Sequence, residues 1–158
     1  MSKADNSLNR CVFCRIANLQ DPNTTILFQD EEFVAFRDRS PAADHHYLII
    51  TKQHIKNPKE LKAGDLEMVE RLIATGEKVL ENAGGKCEEA RFGFHWPPFT
   101  SINHLHLHVM APVLSMTFLS RLIYRENSYW FVTTNWMRNR LKTMKNESGE
   151  RVKEQSNL

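Results

Sequence analysis

The stretch Ile102 to Pro112, INHLHLHVMAP, places His104, His106 and His108 at alternate positions. In an extended strand, residues two apart share a face and lie about 6.5–7 Å apart along it. The three imidazoles would therefore line one side, with Leu105, Leu107 and Val109 packing the other. Three readings of the pattern are open. The first is a strand with its polar face to water, although that role calls for Thr, Lys, Glu or Ser rather than three histidines. The second is a catalytic zinc held by three neutral imidazoles, since His-x-His on a strand is sound ligand geometry. The third is nucleophilic catalysis, in which the middle imidazole attacks phosphorus while its neighbours manage charge and protons. Imidazole suits that role because it is nucleophilic when neutral, near its ordinary pKa of about 6.5. Its phosphoryl adduct is also labile enough to hydrolyse in a second step.

Cys11 and Cys14 form a second group, a Cys-x-x-Cys on a segment of helical spacing. By itself it reads equally as a redox pair, half of a zinc site, or two packed cysteines. Cys87, beside the end of a predicted helix, reads as a free thiol. Three cysteines are a small, odd set that suits a reducing compartment, so a cytoplasmic or a nucleocytoplasmic (cytoplasmic and nuclear) location is expected.

Several elements must position these groups. CVFCRIANL has Val12, Phe13, Ile16 and Leu19 at helical spacing, which predicts a short N-terminal helix. TTILFQ and EFVAFRD read as an antiparallel hairpin, and the β-branched run HHYLIITK as a central strand. DLEMVERLIATGEKVL, Asp65 to Leu80, carries an apolar stripe of Leu66, Met68, Val69, Leu72, Ile73, Val79 and Leu80, and AGG at Ala83 to Gly85 ends it. ARFGFHW is a short strand, INHLHLHVM a long one, TFLSRLIY a helical turn with a face to pack, and SYWFVTT a strand or arm. NWMRNRLKTMK predicts a basic amphipathic C-terminal helix. The organisation expected is a flexible N-terminus over residues 1–10, one folded domain over 11–145, and a polar, disordered tail over 146–158. Mixed, mostly antiparallel elements make the class α+β.

Charge excludes some partners. The formal net charge is +2. From Asn135 onward six Lys or Arg face three acids, so the excess lies in the tail and the body is near neutral. No DNA or RNA partner is expected on that balance. No segment reaches the roughly 20 apolar residues that span a bilayer, and MSKADNSLNRC lacks the apolar core of a secretory signal, so no membrane association is expected.

HLHLHVM has the pattern His-φ-His-φ-His-φ-φ, with φ apolar, and resembles the histidine triad superfamily. CVFCRI, VAFRDRSPA and HHYLIITKQHI fall in the order and at the separations of its Hint branch, over Cys11 to Asn139. FGFHWPPFTSINHLHLHVMAP and SYWF are similar to the adenosine 5'-monophosphoramidases within that branch. The resemblance implies a HIT-like α+β fold with an antiparallel sheet, a long helix and a short N-terminal helix, assembled as a homodimer or higher oligomer. It implies hydrolysis of the P–N bond of a purine nucleoside 5'-monophosphoramidate, releasing AMP and an amine, with no cofactor required for catalysis.

Carried over residue by residue, the resemblance makes His106 the nucleophile. His108 donates to phosphate oxygens where charge grows, and His104 orients its neighbours. Ser101 lies near the leaving group and His46 completes a polar relay. Asp38 accepts hydrogen bonds from both ribose hydroxyls, a task for a carboxylate with two acceptor oxygens. Arg39 and Phe13 border the base. Relatives that include the uridylyltransferase branch complete a structural zinc site whose matching residues here are Cys11, Cys14, His54 and His104.

The chain also departs from the pattern. Many Hint proteins have Gly-Gly-Gln-Ser before the triad, where this chain has Pro98, Phe99, Thr100 and Ser101, which puts phosphate contacts from that loop in doubt. An upstream asparagine is missing, and Gly93 or His95 stands in its region. Alternative functions are a dinucleoside polyphosphate or acyl- or adenylyl-conjugate hydrolase, and a nucleotide-binding scaffold with regulatory use of the site. The basic C-terminal segment, with Trp136, Met137, Leu141 and Met144, could contact calmodulin or another acidic protein, or else pack on its own domain.

Overall fold

The structure, a computed structural model, describes residues 10–156, with side chains described to residue 149. The expected flexible N-terminus lies, apart from Arg10, outside the described residues. The chain opens with α1 (Val12–Ala17), whose N-cap is Cys11, its Sγ accepting the Cys14 N–H at 3.5 Å. A hairpin of β1 (Ile26–Gln29) and β2 (Phe33–Arg37) follows. Its turn is pinned by Asp30, whose carboxylate accepts the Glu32 and Phe33 N–H groups at 2.8 and 2.7 Å. Then come β3 (His45–Thr51), α2 (Leu66–Asn82), β4 (Arg91–His95), β5 (His106–Ala111), α3 (Phe118–Ile123), β6 (Phe131–Thr133) and α4 (Thr134–Ser156).

The six strands form one antiparallel sheet in the order β1-β2-β3-β5-β4-β6. Both faces are covered. Helices α2 and α4 bury one face around Ile49, Leu72, Leu80, Leu107, Val109, Met137 and Leu141. Helix α1 closes part of the other over Phe13, Ile16, Val34, Phe36, Leu48 and Ile50. Gly76 lets α2 approach β5 closely, since a Cβ there would meet Val109 Cγ2 at 2.9 Å.

Three expectations change. The triad strand begins at His106, because Leu105 N–H is taken by the Ile55 carbonyl at 2.7 Å and the backbone before it bends. The face of α3 is not packed: Phe118 and Leu119 are 86% and 63% exposed. The C-terminal helix does not stop near residue 145 but runs to Ser156, so the backbone there is helical rather than a disordered tail. Its apolar stripe lies on its own domain, with Met137 and Leu141 fully buried and Arg138 paired to Glu70 at 2.9 Å. Trp136, at the start of the same stripe, is 41% exposed.

Candidate active site and metal centre

All three histidines are buried; His104 is 1%, His106 8% and His108 4% exposed. A solvated polar face is therefore excluded. Instead His106 and His108 floor a cavity of about 700 Å³, a size that suits a small-molecule ligand. Its apolar end is walled by Val12, Phe13, Ile16 and Leu27 from the α1–β1 side and by Phe36 and Leu48 from β2 and β3. Phe13 stands edge-on to His106 with ring centroids 5.2 Å apart, so it is core and cavity wall at once. Asp38 sits on the rim. One carboxylate oxygen accepts the Ser40 N–H at 2.8 Å, and the other lies 3.5 Å from His46 Nε2. Arg39 belongs to the same rim, but its guanidinium is exposed and turned to Asp21 at 3.9 Å. Ser101 is exposed at the mouth.

Backbone groups fix which nitrogen of each imidazole carries the proton. A carbonyl only accepts, so the 2.6 Å contact of His106 Nδ1 with the His104 carbonyl places the proton on Nδ1. His106 Nε2 keeps its lone pair. The Ala42 N–H donates to His46 Nδ1 at 3.0 Å, which puts the His46 proton on Nε2. His46 Nε2–H then donates to His108 Nδ1 at 2.9 Å, and His108 Nε2–H to His95 Nδ1 at 3.2 Å. His46 thus orients His108 with its N–H toward the cavity. Burial lowers the pKa of His46 and of His106 to about 4, and that of His108 well below its usual value, so these imidazoles are neutral near pH 7.

Two cavity residues lie outside the expected set. His95, at the end of β4, lines the cavity, with its Nδ1 3.2 Å from His108 Nε2. Gly93 plays a different part: the Phe131 ring occupies its side-chain space, and a Cβ there would lie 2.6 Å from that ring. Tyr124 stacks edge-on to His46 at 5.3 Å and lines the cavity, its hydroxyl pushed up to about 12 by burial. The sequence marked His95 only as one of two residues in the region of the missing asparagine. Tyr124 is the C-cap of α3, in a segment that the sequence marked only as a helical turn.

The second cluster joins Cys11, Cys14, His54 and His104, whose ligand atoms all lie within 4.8 Å of one another. Cys14 Sγ is 3.2 Å from His54 Nδ1 and 3.4 Å from His104 Nδ1. Cys11 Sγ is 3.5 Å from His104 Nδ1, and the two Nδ1 atoms are 3.2 Å apart. The edges of a tetrahedral zinc site with ordinary Zn–N and Zn–S bonds are about 3.3–3.8 Å, so the donor set fits that ion. His104 Nε2–H donates to the Thr51 carbonyl at 2.7 Å, which leaves Nδ1 as the ligating nitrogen. Burial, with Cys11 beside it, raises the Cys14 thiol to about 12; a divalent cation would supply the charge that favours the thiolate. Cys87 stands apart, 3.7 Å from Glu81.

Residues 10–124 match the family described as scavenger mRNA decapping enzyme C-term binding. The chain is also 46% identical to adenosine 5'-monophosphoramidase HINT3 of Mus musculus, over 89% of this chain and 87% of that protein. The chain belongs to the histidine triad superfamily. Another histidine triad relative, adenosine 5'-monophosphoramidase HINT3 of Xenopus tropicalis, is 45% identical over 79% of this chain and 82% of its own length. Among solved histidine triad structures, a HIT family hydrolase from Legionella pneumophila is 31% identical, with a TM-score of 0.61 over 65% of this chain and 92% of that one.

Proposed function

We propose that the chain hydrolyses the P–N bond of adenosine 5'-monophosphoramidates through a nucleotidyl-His106 intermediate, releasing AMP and an amine. The observation that carries this reading is the bare His106 Nε2 at the floor of a nucleotide-sized cavity, its other nitrogen tied to the His104 carbonyl at 2.6 Å. The names of the relatives 45–46% identical to it support the same chemistry. The adenine would lie against Phe13, Ile16, Phe36 and Leu48, with the ribose hydroxyls on Asp38. His106 Nε2 attacks phosphorus, and the His108 N–H holds a phosphoryl oxygen as charge grows on it. The adduct places positive charge on the His106 ring, where the Nδ1–H bond to the His104 carbonyl becomes charge-assisted and stronger. Water then attacks the adduct and frees His106.

The Cys11, Cys14, His54 and His104 set is read as a structural zinc site. The metal would hold α1 against the loop ahead of β5; it takes no part in the reaction.

Turnover of an adenosine phosphoramidate by the wild type and by His106→Ala tests the function. The wild type should turn over and form a trappable adenylate on His106, and the variant should lose on the order of 10⁴-fold or more. Equal rates would refute the nucleophile. An inert wild type that still binds AMP would favour a scaffold instead.

A further inference from the structure

The neutral imidazole chain has a direction, and that direction limits what it can do. His46 Nδ1 accepts an amide N–H that cannot be given up, so His46 has no proton to replace one passed from Nε2 to His108. His108, if it surrendered its Nε2 proton, would not be refilled from behind. The buried chain therefore donates hydrogen bonds but cannot deliver a net proton. A departing amine needs one, because an amide anion is a very poor leaving group.

His95 is placed to supply it. Across the sheet the cavity runs from the base wall on β1, β2 and β3, over His106 and His108 on β5, to His95 on β4 with Tyr124 beside it. With the nucleoside on the β1 side and phosphorus over β5, the leaving group has the β4 side. His95 is half-buried, whereas His46 and His108 are closed off, so it alone of the three can exchange protons with solvent; before a nucleotide binds, burial lowers its pKa from 6.5. Its Nδ1 faces His108 Nε2 at 3.2 Å and its Nε2 reaches the Ile123 carbonyl at 3.4 Å. A phosphate that takes the His108 N–H for itself leaves His95 Nδ1 without its donor, next to a new negative charge. Both changes favour a proton on Nδ1.

We propose that His95 is the general acid and base of the reaction, serving leaving groups that must depart with a proton. This rests on the reading of His106 as nucleophile. As the His106 Nε2–P bond forms, the P–N bond breaks and its electron pair stays on nitrogen. That nitrogen takes the proton from His95 Nδ1 and leaves as a neutral amine. In the second half, water oxygen bonds to phosphorus, its proton passes to His95 Nδ1, and the Nε2–P electron pair returns to His106. The sum is amidate plus water to AMP plus amine.

The test pairs two substrates: an AMP alkylamidate, whose amine must be protonated, and AMP p-nitrophenyl ester, whose leaving group departs as an anion. His95→Gln should slow the release of amine by ~10²–10⁴-fold while slowing the release of p-nitrophenolate in the first turnover by less than ~10-fold. Equal slowing of both, or no slowing of either, would overturn the assignment. A wild-type measurement keeps the test independent of the variant's folding. First-turnover rates over a series of amidates should depend only weakly on the basicity of the amine; a steep fall with rising basicity would show that nothing protonates the nitrogen and also overturn it. A wild type inert to both substrates would refute the phosphoramidase reading itself and this proposal with it.

Discussion

One residue joins the two sites: His104 gives its carbonyl to His106 Nδ1 at 2.6 Å and turns its own Nδ1 to Cys14 Sγ at 3.4 Å. The nucleophile's tautomer and the candidate metal cluster therefore share one stretch of backbone. Replacing the His104 ring leaves its carbonyl in place. His104→Ala should lose zinc but keep measurable turnover, unlike His106→Ala. Metal analysis of untagged protein should find about one zinc in the wild type and little in Cys14→Ala, with a lower melting temperature in the variant. Substoichiometric zinc in a wild type with titratable Cys11 and Cys14 thiols would remove the metal site.

His46 makes stability depend on pH. Its pKa falls from 6.5 to about 4 because burial penalises the charged ring more than Asp38 favours it. Between these values the unfolded chain binds the proton and the native one does not. Its contribution is therefore complete above about pH 6.5 and is lost as pH falls toward 4. Thermal melts across that window should show a decline that is shallower in His46→Gln. An identical slope would disconnect this residue from the effect.

Asp38 should discriminate sugars. Its carboxylate is the rim acceptor for a vicinal diol, and hydrogen bonds to a charged group contribute about 1.5–3 kcal/mol. Asp38→Asn should reduce kcat/KM for a ribonucleotide amidate by roughly 10–100-fold. The 2'-deoxy substrate should suffer less, narrowing the preference between the two. Equal losses on both sugars would mean that Asp38 acts through His46 rather than through the ribose.

Gly93 keeps the site in shape. A Cβ there would lie 2.5 Å from the Val132 carbonyl oxygen and 2.6 Å from the Phe131 ring, which packs on His95 at 5.3 Å. Gly93→Ala should destabilise the fold by about 1–3 kcal/mol through overpacking. Denaturant titration reads that loss, and the amidate assay should show turnover falling with it.

The strand period made His104, His106 and His108 neighbours, and the apolar spacings marked α1, the hairpin and the long helix, because these are local properties of the chain. The same patterns carried the resemblance to the histidine triad superfamily and the residues for both sites. What they left open depended on partners distant in sequence. The Ile55 carbonyl decides where β5 begins, and Thr51 and Ala42 decide which nitrogen of His104 is free and which nitrogen of His46 carries the proton. Cys14 meets His104 ninety positions on only because β3 and β5 lie side by side under α1. The alternate histidines alone allowed metal or catalysis. Tertiary structure tied one nitrogen of His104 and one of His106 to a backbone carbonyl, and so turned His104 toward the cysteines and left His106 facing the cavity.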